Sequence, residues 1–109
     1  MGPLPTGTVT FLFTDIQGST RMWQDHPKQM KKALLRHDEI LTAAIESNGG
    51  YVFKTIGDAF CAAFDTAIDG LKATLSAQLS FAKESWDPRV PIRCRMALHT
   101  GEAVVFVIV

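Results

Sequence analysis

One periodic stretch constrains the fold more than anything else in the chain. After His26-Pro27, apolar side chains recur at three-to-four spacing, as Met30, Ala33/Leu34, His37, Ile40/Leu41 and Ala44/Ile45, and the pattern stops at Asn48-Gly49-Gly50. That spacing predicts a long helix with a single apolar face. Proline is accommodated in a first helical turn, and Asn-Gly supplies C-cap chemistry. Such a helix gains most of its stability from burying that face, so the rest of the chain must supply a second layer.

The flanking segments supply a sheet. Residues 8–14 are β-branched and aromatic and predict a strand, buried on both faces towards its end. Asp15 to Thr20 breaks it, with turn chemistry at Gly18-Ser19 and a short helix over 20–24. Residues 51–56 and 59–64 read as strands joined by the two-residue hairpin Gly57-Asp58. Asp65-Thr66 can cap a second helix, whose apolar positions Ile68, Leu71, Leu75, Leu79 and Ala82 keep helical spacing. Trp86-Asp87-Pro88 reads as a loop. Ile92, Cys94, Met96 and Leu98 alternate with Arg93, Arg95 and Ala97 as a half-buried strand, and His99 to Glu102 reads as a turn. The order strand, helix, strand, strand, helix, strand predicts an α+β ferredoxin-like sandwich, an antiparallel-rich sheet with helices packed on one face. Residues 1–7, with two prolines and two glycines, read as a flexible lead-in to one domain over 8–109.

Charge and cysteine usage narrow the function classes. Eleven basic and eleven acidic residues leave no net charge, which argues against a nucleic-acid partner held by bulk charge. Cys61 and Cys94 lack CxxC spacing and read as reduced, buried thiols of a cytoplasmic protein. The N-terminus has no basic and apolar signal-peptide pattern, and no apolar run approaches the ~20 residues that span a bilayer.

Two acids carry the chemical reading. Asp15 ends the first strand and Asp58 sits in the hairpin, and in a ferredoxin-like sheet those elements are central neighbours. Carboxylates brought together at one sheet edge repel unless a cation lies between them. Mg²⁺ takes few protein carboxylates and completes its shell with substrate phosphates, and a pair of such ions can stabilise both ends of a phosphoryl displacement. Gly18, Ser19 and Thr20 stand at a strand-to-helix junction, where backbone N–H groups can meet phosphate oxygens. Taken singly, each acid is more simply a helix cap or a turn former.

The flanking motifs favour the chemical reading. Residues 9–20 (VTFLFTDIQGST), 53–60 (FKTIGDAF) and 93–102 (RCRMALHTGE) resemble, in order, three signatures of the class III adenylyl and guanylyl cyclases, and Trp23, His26-Pro27 and Arg36-His37-Asp38 are similar to bacterial members. The resemblance implies that Asp15 and Asp58 hold two Mg²⁺ or Mn²⁺ ions, with the backbone carbonyl of Ile16. It implies that Gly18, Ser19 and Thr20 meet the triphosphate, and that Lys54 reaches the purine and favours adenine, whose N1 is an acceptor. A solvated strand position is the simpler account of Lys54, and surface charge that of Arg21. The implied reaction is ATP to 3′,5′-cyclic AMP and pyrophosphate, at the interface of a head-to-tail homodimer or a pair with a complete cyclase subunit.

The family's transition-state asparagine and arginine have no counterpart up to Val109, so the domain reads as C-terminally truncated and poorly active by itself. The apolar run 104–109 combines high β-propensity with no charge, an aggregation signature. Two other readings stand beside the cyclase: a non-catalytic regulatory or dimerisation module, and another ferredoxin-like nucleotidyl enzyme. Against the latter, Gly49-Gly50-Tyr51 lacks the acids of a diguanylate cyclase. His99 has no second ligand at metal spacing and reads as a turn residue.

Overall fold

A computed structural model describes residues 7–103. In chain order the elements are β1 (Gly7–Ile16), α1 (Ser19–Asp25), α2 (Pro27–Ser47), β2 (Tyr51–Ile56), β3 (Ala59–Phe64), α3 (Ala67–Lys83) and β4 (Cys94–Ala103). The four strands form one sheet in the order β2-β3-β1-β4, antiparallel at every junction. This is the expected ferredoxin-like arrangement, with helices on one face. Most of the expected lead-in, residues 1–6, and the apolar run 104–109 lie outside the described residues.

The central strand follows from its alternation. Thr10, Leu12, Thr14 and Ile16 are buried beneath the helices, whereas Phe11 and Asp15 are half-buried and Phe13 is 43% exposed on the other face. The expectation of burial on both faces towards the strand's end is therefore wrong: among the described residues no helix covers the second face there, which carries Phe11 stacked near Phe13 and edge-on to Phe53 of β2, although Val9 earlier on that face is buried. β1 also begins at Gly7 and runs on through Asp15 and Ile16, because all ten of its residues pair with β4.

α2 buries the face predicted for it, with Leu34 half-buried at its margin. Its His37 is fully buried, stacked on Phe81 of α3 at 5.4 Å and edge-on to Phe60 of β3 at 5.8 Å. The ring's Nδ1 lies 2.8 Å from the Asp38 carboxylate and its Nε2 faces the Cys94 sulfur of β4. Trp86 donates its indole N–H to the Phe81 carbonyl and packs against both parts of the core, one under α2 and α3 and one around Ile16, Met30, Val90 and Ile92.

α3 overturns its expected face. Thr66 caps it, accepting the Asp69 backbone N–H, but the buried residues are Gly70, Ala73, Ala77 and Phe81. Ile68, Leu71, Leu75 and Leu79 point outward, each 54–61% exposed. The cause is close approach: a Cβ on Gly70 would sit 3.0 Å from Thr10 Cγ2 and 3.3 Å from Leu98 Cδ2. Small residues face the sheet, and the large ones are turned away.

β4 also differs. Ile92 is buried but precedes the strand, and His99 to Glu102, expected as a turn, continues the ladder to Ala103. A Thr10–Thr100 hydroxyl contact of 2.9 Å crosses that ladder. Of the two free thiols, Cys94 is buried as expected but Cys61 is half-buried. No helix among the described residues is long and apolar enough to cross a membrane.

Candidate functional site

The β2–β3 turn forms where predicted. Gly57 takes φ 59°, which a glycine adopts freely, and Asp58 follows at negative φ, the pattern of a type II′ hairpin. That turn points back along β3 towards the end of β1. The β1–β3 register runs from Thr10↔Phe64 to Thr14↔Phe60. Continued by one and two residues, it sets Asp15 across from Ala59 and Ile16 across from Asp58.

The two acids have different surroundings. Oδ2 of Asp58 is shut off from solvent and has no hydrogen-bond partner. A charged oxygen in that state carries an uncompensated desolvation cost. Asp15, on the open face, is held by Arg95, whose Nε and Nη2 donate to Oδ1 and Oδ2 at 2.7 and 2.8 Å. Hydrogen bonding to Asp15 raises the guanidinium's pKa further. The buried Cys94 thiol is pushed up to about 12, chiefly by burial, with the negative charges of Asp15 and Asp58 adding to it. Asp15 and Arg95, with Phe13, Thr14, Met96 and Ala97, line a shallow depression of about 240 Å³.

The remaining predicted residues divide between two places. Ile16 is buried at the end of β1, and Gly18, Ser19 and Thr20 follow directly. Gly18 takes φ 71° as the N-cap of α1, with no side-chain cap bond, and Ser19 and Thr20 begin the helix. Lys54 stands apart, exposed on edge strand β2, paired with Cys61, which in turn pairs with Phe13. That pairing puts it on the open face, across β3 from the β1 residues. Arg21 is exposed, 3.6 Å from Asp25, as expected of a surface charge.

Arg95 is the residue that sequence reasoning missed. Alternation placed it on the outward side of its strand, but its partner lies 80 residues away. Only the register Asp15↔Arg95 reveals the pair.

Among the described residues no group of three or more His, Cys, Asp or Glu side chains is poised to hold a metal. The donors present are carboxylate oxygens, one of them sealed and unpartnered. That donor set suits a hard divalent cation that takes its other ligands from water and phosphate.

Comparison with known proteins agrees with this architecture. The sequence profile described as the adenylate and guanylate cyclase catalytic domain matches residues 3–109. An adenylate cyclase of Podospora anserina is 36% identical over 106 residues, covering 95% of this chain and 5% of that protein. An uncharacterised protein of Mycobacterium tuberculosis is 40% identical over 100 residues, covering 90% of this chain and 33% of that protein. Among solved structures, an adenylate cyclase of Trypanosoma brucei in its monomeric state superposes with a TM-score of 0.83 at 27% identity, covering 93% of this chain and 59% of that one. The chain thus spans a small part of its curated relatives and about three-fifths of the structural one.

Proposed function

The chain belongs to the adenylate and guanylate cyclase catalytic-domain family, and from that membership we propose that it is the metal-holding part of an adenylate cyclase, converting ATP to 3′,5′-cyclic AMP and pyrophosphate. One observation carries the reading beyond the family match: the unpartnered, solvent-shielded Asp58 oxygen in the turn next to the end of β1. A carboxylate oxygen in that state is uncompensated, and a divalent cation would compensate it.

Asp15 and Asp58 would hold two Mg²⁺ or Mn²⁺ ions, with the Ile16 carbonyl beside them. Bound there, the ions supply charge stabilisation for the phosphates and acidify the attacking ribose hydroxyl. The chain's own residues orient and bind. Gly18, with the first N–H groups of α1 at Ser19 and Thr20, receives triphosphate oxygens, since these amides have no helical acceptor. Arg95 fixes the orientation of the Asp15 carboxylate at the depression. Lys54 donates to the adenine N1. ATP rather than GTP is supported by the relatives that carry the name adenylate cyclase. The family description embraces both activities, and guanylate cyclase is the alternative for the purine. The remaining groups of the site would come from a head-to-tail dimer, with a second copy or with a complete cyclase subunit.

One observation favours a second reading, a non-catalytic regulatory or dimerisation module: Arg95 already occupies both oxygens of Asp15, as in a site that works without metal. Titration of Mn²⁺ with ATP or GTP against the chain and its Asp15→Ala and Asp58→Ala variants separates the two. Saturable Mn²⁺·ATP binding lost in both variants supports the cyclase reading. Absent binding, or binding untouched by both substitutions, overturns it.

A further inference from the structure

The outward face of α3 is a feature that nucleotide chemistry leaves unused. Ile68, Leu71, Leu75 and Leu79 form one continuous stripe, each more than half exposed, directly opposite the Ala73, Ala77 and Phe81 face that packs on the sheet. Single exposed apolar side chains need no explanation, but four on consecutive turns of a polar-flanked helix mark an interaction surface.

The geometry points to a second copy of this chain as its occupant, bound antiparallel through α3 about a two-fold axis at Leu75. The spacing is palindromic. Leu71 and Leu79 lie four residues either side of Leu75, and Ile68 and Ala82 lie seven either side. An antiparallel pair therefore sets Leu75 against Leu75 of the second copy, Leu71 against Leu79, and Ile68 against Ala82. Large residues meet at the centre, and a large one meets a small one at each end. The charges are also self-complementary. α3 carries Asp69 in its first turn and Lys83 in its last. Both fall on the same flank of the stripe at 100° per residue, and two-fold pairing brings Asp69 alongside Lys83 of the second copy, twice over. Lys72, the other charge on that flank, comes level with Ser76 to Ser80 of the second copy rather than with another lysine. Antiparallel helices also place opposite dipole ends together. Such an isologous contact needs only one patch that matches itself. It uses the face of the sheet sandwich opposite to that bearing Asp15 and Arg95, so it is independent of the proposed nucleotide site.

Sedimentation velocity of the whole chain across a concentration series tests this. A reversible dimer is expected, and Leu75→Glu raises its dissociation constant by at least about thirtyfold, a hot-spot-sized loss. Leu75 is exposed, so the variant keeps its circular dichroism. Asp69→Lys weakens the dimer, and adding Lys83→Asp restores it. Leu75→Cys gives a covalent dimer on mild oxidation, whereas Ile68→Cys does so only when mixed with Ala82→Cys. A chain that stays monomeric at all concentrations overturns the proposal, whether the stripe is then covered by residues 104–109 or by another protein. So does a dimer that persists in Leu75→Glu, or one that Leu75→Cys does not cross-link.

Discussion

Replacing Asp58 by alanine separates what the hairpin carboxylate costs the fold from what it does with a cation. Oδ2 of Asp58 is shut off from solvent and has no hydrogen-bond donor among the described residues. Leaving a buried polar atom in that state costs about 1–3 kcal/mol, and more for a full charge. Asp58 as a whole is only half-buried, so its charge is partly solvated through the other oxygen, and the lower end of the range, about 1 kcal/mol, applies. Alanine removes the orphan, and because Asp58 sits at negative φ the turn accepts it without strain. In chelator, Asp58→Ala is therefore expected to equal or exceed the parent in stability, by up to about 1 kcal/mol, where an average substitution loses about that much. With Mn²⁺ and a non-reacting ATP analogue at ten times their dissociation constant, the parent gains about 1.4 kcal/mol by mass action and the variant gains nothing. The stability order thus reverses between the two buffers. Urea unfolding followed by far-ultraviolet circular dichroism measures all four states, with equal m-values confirming that only stability has changed. A variant less stable than the parent in chelator by more than about 1 kcal/mol, or a metal shift equal in both proteins, would refute the reasoning.

Three further outcomes follow from local geometry. A Cβ on Gly50 would lie 2.5 Å from Phe64 Cε2 and 2.7 Å from Ile45 Cγ2, both on fully buried side chains; Gly50→Ala is therefore expected to destabilise by about 1–3 kcal/mol through overpacking, read as a lower urea midpoint. Asp87 accepts both side-chain and backbone N–H groups of Arg89, which lowers its pKa from 3.8 to about 2. A carboxylate depressed in the folded state contributes stability that is present above its unfolded value and is lost as pH falls from about 4 to about 2. Asp87→Asn should flatten the acid limb in that window and leave the neutral range nearly parallel to the parent, and carboxyl NMR titration locates the midpoint directly. The Cys94 thiol, pushed up to about 12 by burial first, should resist alkylation at pH 8 while half-buried Cys61 reacts, with mass spectrometry of the labelled chain as the readout; equal labelling rates in folded protein contradict the assignment.

Much of the architecture was legible in the chain because local and global signals agreed. The boundaries of β2 and β3 and the turn at Gly57-Asp58 follow from hydrophobic runs interrupted by one strong turn pair, and the α2 face follows from its period. α3 reads differently because periodicity finds the largest apolar residues, whereas packing against a sheet at close range selects the smallest. Gly70, Ala73 and Ala77 carried the contact, and the leucines advertised the wrong side. His99 to Glu102 looks like a turn by residue type, yet ten consecutive pairings with β1 outweigh that local preference. For the candidate site, the flanking motifs were enough to nominate Asp15 and Asp58. Arg95 was hidden because a bidentate partner 80 residues distant has no local signature. The orphaned oxygen of Asp58 was likewise beyond reach, since solvent exclusion depends on the assembled hairpin and strand end.

The strand order has a consequence for how the molecule assembles. β1 precedes the other described elements yet lies in the interior of the sheet, and its whole length on one side is matched to β4. No early hairpin can complete that pairing, and the loop to be closed holds residues 17–93. Such long-range closure gives a high contact order and slow, all-or-none folding. Until residues 94–103 dock, the nascent β1 keeps a raw ladder edge. Any unpaired strand present at that stage can compete with β4 for that edge.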